Sequence, residues 1–318
     1  MDSSTPLVTV PALDPAKFRD PLVTAKGEQR AVVALTHLRT LWFNTGSLCN
    51  ITCQHCYMDS SPKNDDLAYL TAAEVAAYLD QAEKLDRPVE EIGFTGGEPF
   101  MNRDLPAMLA DVLTRGHRAL VLTNAMKPLW QKRQALLDLK AVHGNALALR
   151  VSMDHHTPEK HEEERGDGTW APMMKGLKWL AEQGFNISVA GRTLWTEADA
   201  RAGYAAAFAR HGIPVDATDP AALVLFPEMD ADLDVPEITV HCWDILGVAP
   251  ETVMCASSRM VVKRKGAAAP VVVPCTLLPY DPAFDMGPDL AGAARSVALN
   301  HPHCARFCVL GGASCSAG

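Results

Sequence analysis

The cysteines constrain this 318-residue chain more than any other residue type. Cys49, Cys53 and Cys56 lie in one short stretch, none follows until Cys242, and the rest are Cys242, Cys255, Cys275, Cys304, Cys308 and Cys315. What such grouping means depends on the compartment. The chain opens Met-Asp-Ser-Ser-Thr-Pro, without the basic and then apolar segments of a secretory signal. No run of about 18 apolar residues predicts a membrane span. The expected location is therefore the cytoplasm, where clustered thiols serve metal ligation or catalysis rather than disulfides. Hydrophobic residues make up 48%, too many for disorder. The formal net charge of -9 argues against a nucleic-acid partner, because phosphate contacts need a basic face.

Between the two cysteine groups the apolar pattern alternates between two periods. Short apolar runs at 41–43, 92–94, 119–122, 147–151, 187–190 and 223–226 read as strands. Helical spacing predicts helices over 71–86, 104–115, 129–140, 169–183 and 196–211. Thr71 with Glu74 forms a capping-box pattern, and Gly184 and Gly212 follow helix ends. Strands alternating with helices give an α/β domain with a parallel sheet, whose chemistry sits at the carboxyl ends of its strands. After Pro227, prolines and glycines increase and helical periodicity fades. The expected divisions are an N-terminal extension, 1–38, with short helices, a core, 39–235, and a cysteine-rich domain, 236–318.

The first group has the spacing C-x3-C-x2-C in a loop directly after the first strand. Three thiolates on one short loop suit three irons of a [4Fe-4S] cube, which normally takes four cysteine ligands, and leave the fourth iron open. A zinc ion with His55 as fourth ligand, or three buried core cysteines, are the competing readings. The run Cys49-Asn50-Ile51-Thr52-Cys53-Gln54-His55-Cys56-Tyr57 closely resembles the cluster loop of radical S-adenosylmethionine (SAM) enzymes. His55 and Tyr57 around the third cysteine resemble the branch with peptide-modifying and molybdopterin-precursor members. The fold then expected is a partial (β/α)6, TIM-like barrel with a small C-terminal cysteine-rich β-hairpin and helix domain.

Further motifs fit that resemblance. Gly96-Gly97-Glu98-Pro99 follows the second strand, and paired glycines let backbone approach a ligand closely. The resemblance implies that Gly96, Gly97, Glu98 and Pro99 bind the amino group of SAM. Ser152 and Asp154, after the fourth strand, are candidates for its ribose or carboxylate. Arg192, ending the fifth, suits the carboxylate, because guanidinium binds carboxylates bidentately. Asn124 is a polar candidate for the pocket, Tyr57 borders the cluster, and Leu225 is placed to pack on adenine. As plain structural residues, Ser152 would be a turn serine, Arg192 an ion-paired arginine and Leu225 core. The run of His155, His156, His161 and Glu159 to Glu164 is read as a solvated loop leading into a helix rather than a metal site.

Among the later cysteines, Cys255 and Cys275 flank two apolar runs that turn around Gly266, a predicted hairpin. Cys304 and Cys308 lie one helical turn apart. The arrangement resembles the Twitch domain, a shortened relative of SPASM, in which a hairpin and a helix hold one auxiliary [4Fe-4S] cluster. Its expected ligands are Cys255, Cys275, Cys304 and Cys308, with Cys315 as a substitute for either of the last two and Cys242 as a bystander. The C-x19-C and C-x3-C spacings depart from the SPASM pattern, and four thiolates would equally serve a structural zinc.

The resemblance as a whole implies a radical SAM enzyme. A reduced cluster on Cys49, Cys53 and Cys56 passes an electron to SAM, giving a 5′-deoxyadenosyl radical that abstracts hydrogen from substrate. An oxidative outcome is expected, with an electron donor such as flavodoxin or ferredoxin. Residues 1–38 are short for a leader-peptide-binding domain, so a small-molecule substrate is expected. Peptide maturation by cross-linking is the alternative, and a zinc-binding scaffold without redox chemistry is the reading from another class.

Overall fold

The apolar runs predicted as strands pair side by side. In order, β1 is Thr40–Asn44, β2 Glu91–Thr95, β3 Arg118–Thr123, β4 Leu147–Ser152, β5 Asn186–Arg192 and β6 Leu223–Phe226. All six are parallel, in the order β6-β5-β4-β3-β2-β1. Every residue of β1 and β2 is buried, as expected of a sheet covered on both faces. The register aligns Phe43 with Phe94, Phe94 with Val121, Val121 with Leu149, and Leu149 with Ile187. The Phe43 and Phe94 rings stack with centroids 5.8 Å apart. The structure is a computed structural model that describes residues 11–195, 197, 199–227 and 229–315.

The helices sit between the strands. They are α1 (Ala72–Ala82), α2 (Leu105–Thr114), α3 (Lys127–Gln131), α4 (Arg133–His143), α5 (Pro158–Arg165), α6 (Trp170–Glu182) and α7 (Ala200–His211). The predicted capping box is present: Thr71 Oγ1 accepts from the Glu74 N–H at 3.2 Å, and Glu74 Oε2 accepts from the Thr71 N–H at 2.9 Å. Such a cap is worth about 1 kcal/mol. The helix predicted over 129–140 is two helices, broken at Lys132. Pro128, suited to a first turn, starts the earlier one upstream of the prediction. Thr196, the predicted start of the last helix, lies outside the described residues.

The sheet does not end with the core. A further strand, β7 (Ser258–Val262), adds to β1 in parallel, and β8 (Val271–Val273) pairs with β7 antiparallel, making eight strands. The predicted hairpin is therefore hydrogen-bonded into the sheet of the α/β core. One continuous cluster of buried side chains runs from Ala31 to Cys315. Among the described residues the edge strands β6 and β8 are not paired with each other, so the sheet is open.

The described part of the extension, residues 11–38, contains no helix, contrary to expectation. It lies instead against the C-terminal half. Val32–Val33 pairs antiparallel with Val297–Ala298. Arg30 Nη2 meets Glu237 Oε1 at 2.5 Å, both side chains nearly fully buried. Residues 1–10 lie outside the described residues. No helix among the described residues is long and apolar enough to cross a membrane.

Candidate functional site

The cysteine loop leaves the carboxyl end of β1 and is held from below by the glycine turn that ends β2. Gly97 N–H donates to the Gly46 carbonyl at 2.9 Å and Glu98 N–H to the Leu48 carbonyl at 3.1 Å. Gly96 has φ +146°, a region disfavoured for other residues, and a Cβ there would sit 2.5 Å from the Gly46 oxygen. A Cβ on Gly97 would sit 2.2 Å from the Leu48 oxygen. Without side chains these glycines let the backbone just before Cys49 approach closely, and both also line the cleft beside the loop.

Glu98 works behind the cleft. It is buried, and its Oε1 accepts from Thr123 Oγ1 at 2.9 Å and the Phe100 N–H at 3.2 Å. Its Oε2 accepts from the Asn124 N–H at 2.8 Å. This carboxylate joins the ends of β2 and β3, and burial pushes its pKa up to about 7 against those hydrogen bonds. Pro99 opens a buried 3₁₀ turn, Pro99–Met101. Asn124 reaches the loop, its Nδ2 donating to Asn50 Oδ1 at 3.0 Å.

A second set of contacts comes from α5, within the charge run predicted to be solvated. Only one face of that helix is solvated; His161 and Glu164 are buried. Glu164 Oε1 accepts from the His55 N–H at 3.0 Å and from Arg192 Nη1 at 2.8 Å, while Oε2 lies 2.7 Å from His55 Nδ1. The Glu164 carbonyl accepts from the Gln54 N–H at 2.7 Å. Arg192 Nη1 also donates to the His55 carbonyl at 2.9 Å. One helix residue thus grips the loop between Cys53 and Cys56. Next to it, Arg165 pairs with Asp154 at 2.8 Å. Arg192 and Asp154 are both buried and ion-paired, the plain reading weighed for Arg192.

Above these contacts opens a cleft of about 870 Å³, measured out to its mouth. Cys49, Cys53 and Cys56 line it, with Tyr57, Gly96, Gly97, Asn124, Ser152, Asp154 and Arg192. Residues from the ends of β2 to β6 form its wall, including Thr95, Thr123, Arg150, Ala190 and Phe226. Glu98, Pro99 and Leu225 do not line it. Alternation along β6 explains the last: Phe226 faces the cleft, and Leu225 approaches Gly191 instead. The lining residues that sequence reasoning missed include Glu164, Arg165 and Arg150. Pro158 after Thr157, a helix-start signal, was the one clue to α5.

The donor set of the loop suits a soft metal group. Burial pushes the Cys49 thiol up to about 11 and the Cys53 thiol to about 12, so both are protonated at neutral pH unless a cation replaces the proton. Arg165 opposes part of that cost at Cys53. Three sulfurs on one loop fit three irons of a cube.

His155, His156 and Glu197 offer ligand atoms within 4.8 Å of one another. Hydrogen bonding gives them another role. His155 Nδ1 accepts from the Thr157 N–H at 2.9 Å, so its proton is on Nε2, which donates to Glu197 Oε1 at 2.7 Å. Lys160 Nζ meets the same oxygen at 2.8 Å. That is a closed polar network, and none of these histidines lines the cleft.

A second cavity, of about 310 Å³, is lined by Cys255, Cys275, Cys304 and Cys308. These are the four sulfurs expected to act together. Cys304 and Cys308 come from a π-helical turn, Cys304–Leu310. Cys315 is buried outside this lining, and its carbonyl accepts from Arg150 Nη1 at 2.8 Å. The Cys242 sulfur accepts from the Thr239 N–H at 3.3 Å. Burial pushes the Cys255 thiol up to about 11 and Cys304 to about 12. Beside Cys255 the buried Arg259 guanidinium donates to four backbone carbonyls, of Cys255, Ser258, Ala293 and Arg295. It has no carboxylate partner among the described residues, so an anionic metal–thiolate group would balance it.

A family model described as the Radical SAM superfamily matches residues 43–198. The antilisterial bacteriocin subtilosin biosynthesis protein AlbA of Bacillus subtilis is 29% identical over 144 residues, 45% of this chain and 30% of that protein. A GTP 3',8-cyclase of Tolumonas auensis is 28% identical over 138 residues, 43% of this chain and 39% of the cyclase. The chain therefore spans well under two thirds of the length of these curated relatives. Its fold is similar to that of Streptococcus suis SuiB. With S-adenosylmethionine bound, SuiB gives a TM-score of 0.58 at 11% identity, covering 79% of this chain and 63% of SuiB. With precursor peptide SuiA bound, the values are 0.59, 12%, 80% and 63%.

Proposed function

We propose that the protein is a radical SAM enzyme that abstracts hydrogen from a peptide, with an oxidative outcome; a Radical SAM superfamily model matches residues 43–198. The observation that carries this is the union of two motifs in one cleft. The three-cysteine loop and the Gly96-Gly97 turn are bonded backbone to backbone, and both face the carboxyl ends of β2 to β6. On this reading Cys49, Cys53 and Cys56 hold a [4Fe-4S] cluster, and SAM occupies the adjoining cleft. Together these groups supply a one-electron cleavage of the sulfonium and a carbon-centred oxidant. The protein orients and shields. Glu164 and Asn124 fix the loop, Glu98 fixes the strand ends behind it, and Ser152, Asp154, Arg165 and Arg192 present the polar wall that a zwitterionic ligand needs.

Cys255, Cys275, Cys304 and Cys308 hold an auxiliary [4Fe-4S] cluster in the same proposal, supported by their shared cavity and by the Arg259 charge. The functional division into a core, 39–235, and an auxiliary domain, 236–318, is retained although the sheet runs through both. A reductant of the flavodoxin or ferredoxin type would supply electrons, in the cytoplasm. A peptide is favoured by the open groove beside the cysteine loop and by the likeness to a fold that holds a precursor peptide in SuiB. A small molecule is the second reading, favoured by the likeness to a GTP 3',8-cyclase.

Purification without air tests the proposal. The expected product is a brown protein with about eight irons per chain that cleaves SAM to 5′-deoxyadenosine under dithionite. About four irons would leave only the first cluster. A colourless protein holding zinc and no iron would overturn the reading.

A further inference from the structure

A groove borders the cysteine loop on the side away from the strand ends. It shares Cys53, His55, Cys56, Tyr57, Ser60 and Met229 with the cleft, so the two adjoin along the cysteine loop. Its far wall is His303, which also lines the four-cysteine cavity. The groove therefore runs from the cysteine loop to a residue that also walls the second cavity. Measured out to its mouth it holds about 1230 Å³, more than a SAM-sized ligand alone requires.

Its charge is of one sign. Asp59, Asp230 and Asp232 line it, with no Lys or Arg among the described residues of the lining. Asp59 and Asp232 are exposed. His303 adds a separate observation. It is 7% exposed, and its Nδ1 is buried without a hydrogen-bond partner among the described residues. Buried polar atoms are almost always satisfied, so an orphan at a groove wall marks a place for a ligand group.

We propose that this groove seats the substrate and that the segment lying in it carries an ammonium or guanidinium group facing Asp59 and Asp232. The inference rests on reading the adjoining cleft as the SAM site. Two sources could bring that chemistry, a basic residue of a peptide or a small free amine.

Binding to the cluster-loaded protein, prepared without air, tests it by calorimetry at low and high salt. The probes are a blocked Ala-Lys-Ala-Ala-Lys-Ala peptide, its Glu counterpart and cadaverine. The lysine peptide is expected to bind at least about tenfold tighter than the glutamate peptide, and salt should erode the difference. Asp232→Lys should reverse the order. That gain for the glutamate peptide cannot come from misfolding. Cadaverine binding as tightly as the lysine peptide would identify a free amine as the occupant, and binding about tenfold weaker would identify a peptide. Equal affinities for the two peptides, or a wild-type preference for glutamate, would overturn the proposal. SAM cleavage is measured on the same preparation. Its absence alongside an intact lysine preference would count against the radical SAM reading and not against the charge of the groove.

Discussion

The Glu164 carboxylate lies 2.7 Å from His55 Nδ1 and 2.8 Å from Arg192 Nη1. One buried acid from α5 thus bridges the cysteine loop and the end of β5. Removing one partner of a buried ion pair costs about 3–5 kcal/mol. Glu164→Ala should therefore lower the melting temperature and release iron from the loop, with SAM cleavage down by about a hundredfold. Glu164→Gln, which keeps one acceptor, should lose less. Iron analysis and product chromatography check this. Full iron content in Glu164→Ala would dismiss the anchoring role.

Gly97 admits no side chain. A Cβ there meets the Leu48 backbone oxygen at 2.2 Å, and backbone yields less readily than a flexible side chain. Gly97→Ala should push the turn off the loop and weaken SAM binding by about tenfold or more. Gly292, with no positive φ and only the Asp289 side-chain oxygen, at 3.3 Å, close to a Cβ there, is the control for a simple glycine effect. Binding titrations with SAM on both variants would separate the two.

Glu98 makes stability depend on pH. Its folded pKa, about 7, stands above the ordinary glutamate value of 4.5. Between those values the folded chain keeps a proton that the unfolded chain has released. The slope of unfolding free energy against pH is therefore negative, and this contribution falls as pH rises from about 4.5 to 7. His161 and His303, held down to about 4 and about 3 by burial, act in the opposite sense. The difference between wild type and Glu98→Gln isolates the Glu98 part. Melting curves of the metal-free proteins should show a shallower decline for the variant over that window, and parallel curves would contradict the prediction.

The two cysteine groups should separate in iron counts. Cys275→Ala, at a buried sulfur of the second cavity, should remove about half the iron and leave SAM cleavage without substrate measurable. Cys242→Ala should change neither, because that sulfur accepts from Thr239 and faces no cavity with the others. Loss of iron on Cys242→Ala would reassign the ligand set.

The legible parts of this protein are those written in neighbouring residues. Strand and helix alternation is a local period, and the Thr71–Glu74 cap spans one helical turn. The α5 charge run misled for a physical reason. Composition alone cannot tell a solvated face from one whose charges find partners, and Glu164 finds His55 across 109 residues.

By itself the sequence located the three-cysteine loop, the glycine turn and the six core strands along the chain, each from spacing, side-chain type or hydrophobic period. The four later cysteines that share a cavity were singled out by a family resemblance. Only the tertiary structure decided that Glu98 and Leu225 stand behind the cleft, that Glu164 and Arg165 stand in it, and that the C-terminal hairpin extends the core sheet from β1. Burial and ion pairing depend on which distant segments meet, and sheet order depends on edges that no local pattern encodes.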